Sequence, residues 1–310
     1  MTASHVIKKI IWAVDAVQES SALQEHTLEA LRYLVTTTHA SVEPVYVFSP
    51  AQLDMSVEFT GPWSGQFRPT AERVIRDLVA QAHVPGVEDP KVVIQYLPSV
   101  RNAVNALESY ARLREADVIL LNTHARKGVA RLLLGSFAET LLLRSRVPVL
   151  IVGPGSRAIH GFNEILFPSD FGDHSKTMFR YVVSLAGEFQ SRIVLFHAIP
   201  GGLWIPPPHV YLQLVERRRK HADKWARWAA TQGVPVEITI EEDVGNISET
   251  IMETAQVRQI DLIAMAAQSG PIASTMIGSI TRQVVREACC PVWVLRRLPH
   301  VKTTAKKKAA

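Results

Sequence analysis

Leu133-Leu134-Gly135-Ser136 leads into a helix-patterned stretch and then into Val147-Pro148-Val149-Leu150-Ile151-Val152. Met276-Ile277-Gly278-Ser279 leads into another and then into Cys290-Pro291-Val292-Trp293-Val294-Leu295. The interval from Gly-Ser to Pro-Val is the same in both copies, which lie about 143 residues apart. Equal spacing marks a repeated fold unit rather than a coincidence of composition. A Gly-Ser that opens a helix also leaves backbone N–H groups able to hold a phosphate. One feature therefore raises both the fold and the functional question.

Outward from these copies, strand-like apolar runs alternate with helix-period segments, the pattern of βαβ units around a parallel sheet. In the first half the strands are expected at Lys9–Val14, Val42–Phe48, Val92–Gln95, Asp117–Asn122 and Val147–Val152. In the second they are expected at Glu164–Pro168, Arg192–Ala198, Val236–Glu241, Asp261–Ala266 and Val292–Arg296. The runs are apolar without alternation, as when helices cover both faces. Helices are expected over Ser20–Thr38 and Ser175–Gln190. Gly153-Pro154-Gly155-Ser156 is a breaker cluster just past a finished strand, and it reads as linker because no helix follows its Gly-x-Gly. The expected division is 1–152 for the first unit, 153–163 for the linker and 164–298 for the second unit. Residues 299–310 are expected to form a disordered Lys-rich tail.

The 310 residues suffice for two cores of about 150 residues each. A 47% hydrophobic and 20% charged composition fits a globular chain. Apolar runs such as Val118-Ile119-Leu120-Leu121 fall far short of the ~18 residues of a membrane span. Lys8 and Lys9 precede an apolar stretch too short for a signal peptide, so a cytoplasmic location is expected. The net charge of +5 is carried by residues 157–310, with 19 basic and 14 acidic side chains. Four of those basic residues are tail lysines, which argues against a dedicated nucleic-acid surface. Cys289 and Cys290 are adjacent, cannot form an unstrained bridge and precede a buried strand. They read as core packing, with a redox sensor as the alternative.

Long connections follow the second strand of each half: Pro50 to Pro69, with Phe59, Trp63 and Phe67, and Pro200 to Pro208, with Trp204. They belong at the carboxyl ends of strands, where open α/β sheets bind ligands. Their aromatics would cap a ligand or pack against the other half or a partner. Each first strand ends in an aspartate, Asp15 and Asp170, which can meet a ribose hydroxyl or cap the next helix.

After the fourth strand comes Asn122-Thr123-His124-Ala125-Arg126-Lys127-Gly128, leading to Gly135-Ser136. This arrangement resembles the universal stress protein family, whose ATP-binding members carry Gly-x2-Gly-x9-Gly-Ser/Thr here. The resemblance extends over both halves through Pro168-Ser169-Asp170-Phe171, Leu195-Phe196-His197, Ala116-Asp117-Val118-Ile119-Leu120 and the two Gly-Ser to Pro-Val units. It implies two tandem doubly wound α/β units, each a five-stranded parallel sheet of order 3-2-1-4-5 with helices on both faces. It also implies a nucleotide cleft and pairing of the two units, with the second expected to cover the first.

The departures from the family pattern locate the question. In the first half the spacing is kept, but Asn122 and Ala125 replace the two early glycines that let backbone approach a ligand closely. The candidate nucleotide site there is Asp15, Asn122, His124, Ala125, Arg126, Gly135 and Ser136, with ATP or another adenine nucleotide as the ligand. In the second half, registered on Asp117 and Asp261, the counterpart is Asp170, Ala266, Gly278 and Ser279. One residue of spacing is lost there, and Ser269-Gly270-Pro271 replaces the basic loop, its proline lacking an N–H.

No Gly-x-Ser-x-Gly elbow, P-loop or short metal motif is present, so no catalytic residue and no metal ligand is assigned. His197, on an apolar strand, reads as a hydrogen-bonded core residue. The expected role is a regulatory or protective stress module. The rivals are a slow ATPase or nucleotide switch, a nucleotide-independent scaffold for an unknown protein partner, and a binder of another small ligand under Trp63 or Trp204. A homodimer of the whole chain is a further option.

Overall fold

The computed structural model describes residues 7–14, 22–48, 60–95, 97, 99–123, 136–201, 207–267 and 278–296, the side chains of 60–67 and 82 excepted. The strands of the first half are β1 (Lys9–Ala13), β2 (Ser41–Phe48), β3 (Lys91–Ile94), β4 (Val118–Asn122) and β5 (Val149–Val152). Those of the second are β6 (Glu164–Pro168), β7 (Arg192–Pro200), β8 (Val236–Val244), β9 (Leu262–Ala266) and β10 (Val292–Leu295). Between them lie α1 (Ala22–Thr38), α2 (Thr60–Ala82), α3 (Val100–Leu113), α4 (Ser136–Arg144), α5 (Asp173–Phe189), α6 (Pro208–Thr231), α7 (Ile247–Val257) and α8 (Ser279–Glu287).

All the strands join one ten-stranded sheet of order β3-β2-β1-β4-β5-β10-β9-β6-β7-β8. Each half has the expected order and is parallel within itself. The expectation that the second half covers the first is corrected. β10 pairs antiparallel with β5, so the second sheet continues the first edge to edge. The antiparallel junction also turns the carboxyl ends of the two halves toward opposite rims.

Side chains alternate between two cores because successive residues of a strand point to opposite faces. Leu150, Trp293 and Leu295 pack with Leu31, Leu34, Val182 and Leu185 of α1 and α5. Val149, Ile151, Val292 and Val294 pack on the other face with Leu141, Leu142, Val284 and Val285 of α4 and α8.

One boundary differs from expectation by many residues. The stretch expected as a loop to Pro69 becomes helical at Thr60, so Pro69 lies inside α2. A helix tolerates such a proline by giving up one backbone bond. Trp63 and Phe67 are therefore on a helix, while Phe59, Trp204 and the tail lie outside the described residues.

Asp117 and Asp261 repeat one device. Asp117 Oδ2 accepts from the N–H groups of Lys8 (2.7 Å) and Lys9 (3.0 Å). Asp261 Oδ2 accepts from Asn163 (2.9 Å) and Glu164 (3.0 Å). Each fourth-strand aspartate thus pins the start of its first strand. The linker is likewise built in. A side chain at Gly155 would come within 2.8 Å of the Ala288 carbonyl, and Phe162 is fully buried.

Across the junction, Glu188 of α5 accepts from the Ile7 N–H. Burial first, then the like charge of Asp117, outweigh that bond and push its carboxyl up to about 7. Between its unfolded pKa of about 4.3 and this value, the folded state holds a proton that the unfolded chain releases. Stability therefore falls as pH rises through that window. Glu188→Gln should abolish this decline and raise stability above pH 7 by about 1 kcal/mol or more. Parallel melting curves of both proteins from pH 5 to 8 would contradict this.

Candidate functional site

The strand order reverses at β1, whose neighbours are β2 on one side and β4 on the other. In doubly wound sheets, ligands bind outside the carboxyl ends of the strands at such a switch point. Asn122 ends β4, half-buried and paired with Val152. Thr123 follows it, buried, with its N–H on the Val152 carbonyl (3.1 Å). Ser136 is the exposed first residue of α4. Asp15, His124, Ala125, Arg126 and Gly135 lie outside the described residues.

The second half is described more fully. Asp170 follows β6, and its Oδ1 accepts from the Gly172 N–H (2.9 Å) and from Ser175 Oγ (2.6 Å). Gly172 is the N-cap of α5, so the carboxylate braces that helix start. Phe171 between them has φ 60°, a left-handed conformation rare for an aromatic residue. Its ring centroid lies 4.8 Å from His197 and 5.2 Å from Trp225. His197 Nδ1 lies 2.6 Å from the Ser169 carbonyl. Burial first, then Arg218, holds this imidazole below the usual histidine range against the opposing Ser169 bond and Asp170. Neutral His197 donates from Nδ1 and belongs to a packed aromatic cluster at the carboxyl end of β6 and β7.

On the fourth strand, Ala266 ends β9 and offers no polar side chain. Gly278 is the N-cap of α8, and Ser279 is that helix's first residue. A Cβ at Gly278 would meet nothing within 4 Å among the described residues. In the described part of the second half the aspartate is engaged locally and an alanine stands where the first half has an asparagine. Thr123, Phe171 and His197 stand in motifs legible in the sequence, and His197 is the hydrogen-bonded buried residue expected. The packing of Phe171 against His197 and Trp225 carried no signal, since those partners come from remote segments.

The model of the family described as universal stress protein matches residues 7–153 and again 161–296. The chain belongs to the universal stress protein family. A universal stress protein of Thermus aquaticus is 31% identical over 140 residues, covering 44% of this chain and 99% of that protein. Another, from Methanocaldococcus jannaschii, is 23% identical over 151 residues, covering 48% of this chain and 83% of that protein. Among solved structures, a universal stress protein of Archaeoglobus fulgidus covers 93% of this chain and 98% of its own, with a TM-score of 0.67 at 18% identity. A functionally unknown protein of Pseudomonas aeruginosa covers 95% and 94%, with a TM-score of 0.64 at 13% identity. These two structures share the tandem fold along almost the whole chain. Among the described residues, no helix is long and apolar enough to cross a membrane.

Proposed function

We propose that this tandem universal stress protein is a cytoplasmic regulatory or protective stress module with one weakened adenine-nucleotide site, in its first half. The observation that supports this reading is the switch point between β1 and β4, where Asn122 ends one strand and α4 opens at Ser136. In this reading Asp15 meets the ribose. The 122–126 segment and the first N–H groups of α4 hold the phosphates, favoured by the helix dipole. The second half is the structural partner, its own aspartate being spent on capping α5.

The test is a thermal-shift titration with ATP, ADP and AMP, with and without magnesium. A ligand at 100 times its Kd stabilises by about 2.7 kcal/mol. Gly135→Val should remove the shift and Gly278→Val should leave it, the latter position having no neighbour within 4 Å of a new Cβ among the described residues. No shift at millimolar nucleotide sinks the nucleotide reading. Equal effects of the two substitutions would move the site out of the first half.

A further inference from the structure

The two copies with which the sequence reading began also fix the symmetry of the junction. Aligned on their Gly-Ser and Pro-Val pairs, each residue of α4 and β5 corresponds to one 143 positions later in α8 and β10. Leu150 corresponds to Trp293, and Glu139 to Arg282. In the sheet, Leu150 stands directly opposite Trp293. On the helix layer, Arg282 Nε lies 2.8 Å from Glu139 Oε1. Residues that both correspond and face each other stand on the pseudo-twofold axis relating the halves. Leu150 and Trp293 mark that axis in the core shared with α1 and α5. Glu139 and Arg282 mark it on the opposite face, between α4 and α8.

We propose that these two on-axis pairs restrict the β5–α4 face to one partner, the β10–α8 face of the same chain, and make each face reject a copy of itself. On a twofold axis a face that meets its own copy sets each residue against itself. Two first-half faces would bring Leu150 against Leu150, leaving a gap, and Glu139 against Glu139. Two second-half faces would bring Trp293 against Trp293 in a space shaped for one indole and one leucine, with Arg282 against Arg282. Interiors packed at crystal-like density tolerate neither the void nor the excess. Like charges add the repulsive element that specificity needs.

The flanking pairs, Val149 with Val294 and Ile151 with Val292, do not discriminate, because every combination sets two branched aliphatic side chains together. Discrimination therefore resides on the axis, where one large and one small apolar side chain meet on one face and opposite charges on the other. Trp293 is fully buried, and its Nε1–H has no hydrogen-bond partner among the described residues. At this spot the indole therefore contributes volume rather than a polar contact. A homodimer of the full chain would accordingly use another surface.

Two full-length chains test this. One carries L150W and E139R, so that both its faces present tryptophan and arginine on the axis. The other carries W293L and R282E, so that both present leucine and glutamate. Each alone should melt well below the parent. Refolded together with different tags, they should capture each other several-fold more than two tagged parent chains do, because their faces match only between chains. The exchanges L150W/W293L and E139R/R282E within one chain should regain most of the melting temperature lost by their single substitutions. Capture no greater than for the parent, or exchanges as damaging as the sum of their singles, overturns the proposal. E139R and R282E lie on partly exposed side chains, so the charge arm decides the matter if the tryptophan variants fail to fold.

Discussion

Glu43→Ala should cost about 3–5 kcal/mol of stability and leave a protein that is less sensitive to acid. Glu43 lies on β2, and its side chain is fully excluded from solvent. It accepts from Tyr110 Oη at 2.6 Å and from Arg114 Nε at 2.9 Å, and Lys9 Nζ lies 3.2 Å away. Lys9 and Arg114 also reach Glu88, at 3.0 and 3.2 Å, closing a network that ties β1, β2 and α3 together.

Burial alone would push the Glu43 carboxyl up, but the Tyr110, Arg114 and Lys9 bonds outweigh it and hold the group below its usual range. A carboxylate with a depressed folded pKa contributes stability that is complete above the unfolded value. That contribution is lost as pH falls through the folded one. The parent should therefore weaken from about pH 4 downward while the alanine variant changes less. Tyr110→Phe, which removes a single bond to the carboxylate, should cost about 1.5–3 kcal/mol. Urea unfolding at pH 7 and pH 3.5 reads both effects. A loss under 1 kcal/mol for Glu43→Ala at pH 7 would show that the network is dispensable.

Phe162→Ala should cost about 3–5 kcal/mol of stability as well, although the residue lies in the stretch 153–163 that reads as linker in the sequence. Its ring sits edge-on to Tyr33 of α1 at 4.9 Å and 5.6 Å from Phe189 of α5. The neighbouring backbone is held as firmly. Ile159 N–H donates to Glu29 at 2.8 Å, Arg157 N–H donates to the Cys289 carbonyl at 3.1 Å, and Ser191 Oγ donates to the Phe162 carbonyl. A segment that merely spanned a distance would tolerate such a change within about 0.5 kcal/mol. The loss should appear as one cooperative transition, since Phe162 touches a helix of each half. Two separate transitions, with only one displaced, would show that the halves unfold independently.

Most strands were legible because they are short, continuous apolar runs, the edge strand β8 with Glu237, Glu241, Glu242 and Asp243 being an exception that alternates. The observed bounds lie within three residues of those read from sequence. The junction was legible only in hindsight. β5 would be an edge in an isolated five-stranded unit, yet Val149 to Val152 is as apolar as an interior strand and is fully covered. That lack of alternation was the trace of a neighbour on its open side. Pro69 misled because proline ordinarily ends a helix, and only packing shows where one tolerates it. Glu43 was invisible for another reason. A glutamate in a strand reads as an outward-facing side chain, and its partners Lys9, Tyr110 and Arg114 come from β1 and from the remote end of α3. In the candidate site the helix openings at Ser136 and Ser279 were readable from Gly-Ser, as were the two possible uses of Asp170. Its bonds to Gly172 and Ser175 depend on the turn around Phe171, which the sequence does not announce.

The antiparallel contact of β5 with β10 has a consequence for how the molecule responds to dilution. The rim at which β5 ends is the rim at which β6 begins, so the chain crosses only three strand spacings, about 14 Å, and need not travel the length of the sheet. The short tether turns the meeting of the two halves into an intramolecular event with an effective concentration on the order of millimolar. Association that would fail for separate subunits at nanomolar abundance therefore persists here at any copy number. The midpoint of unfolding should be the same at high and low protein concentration.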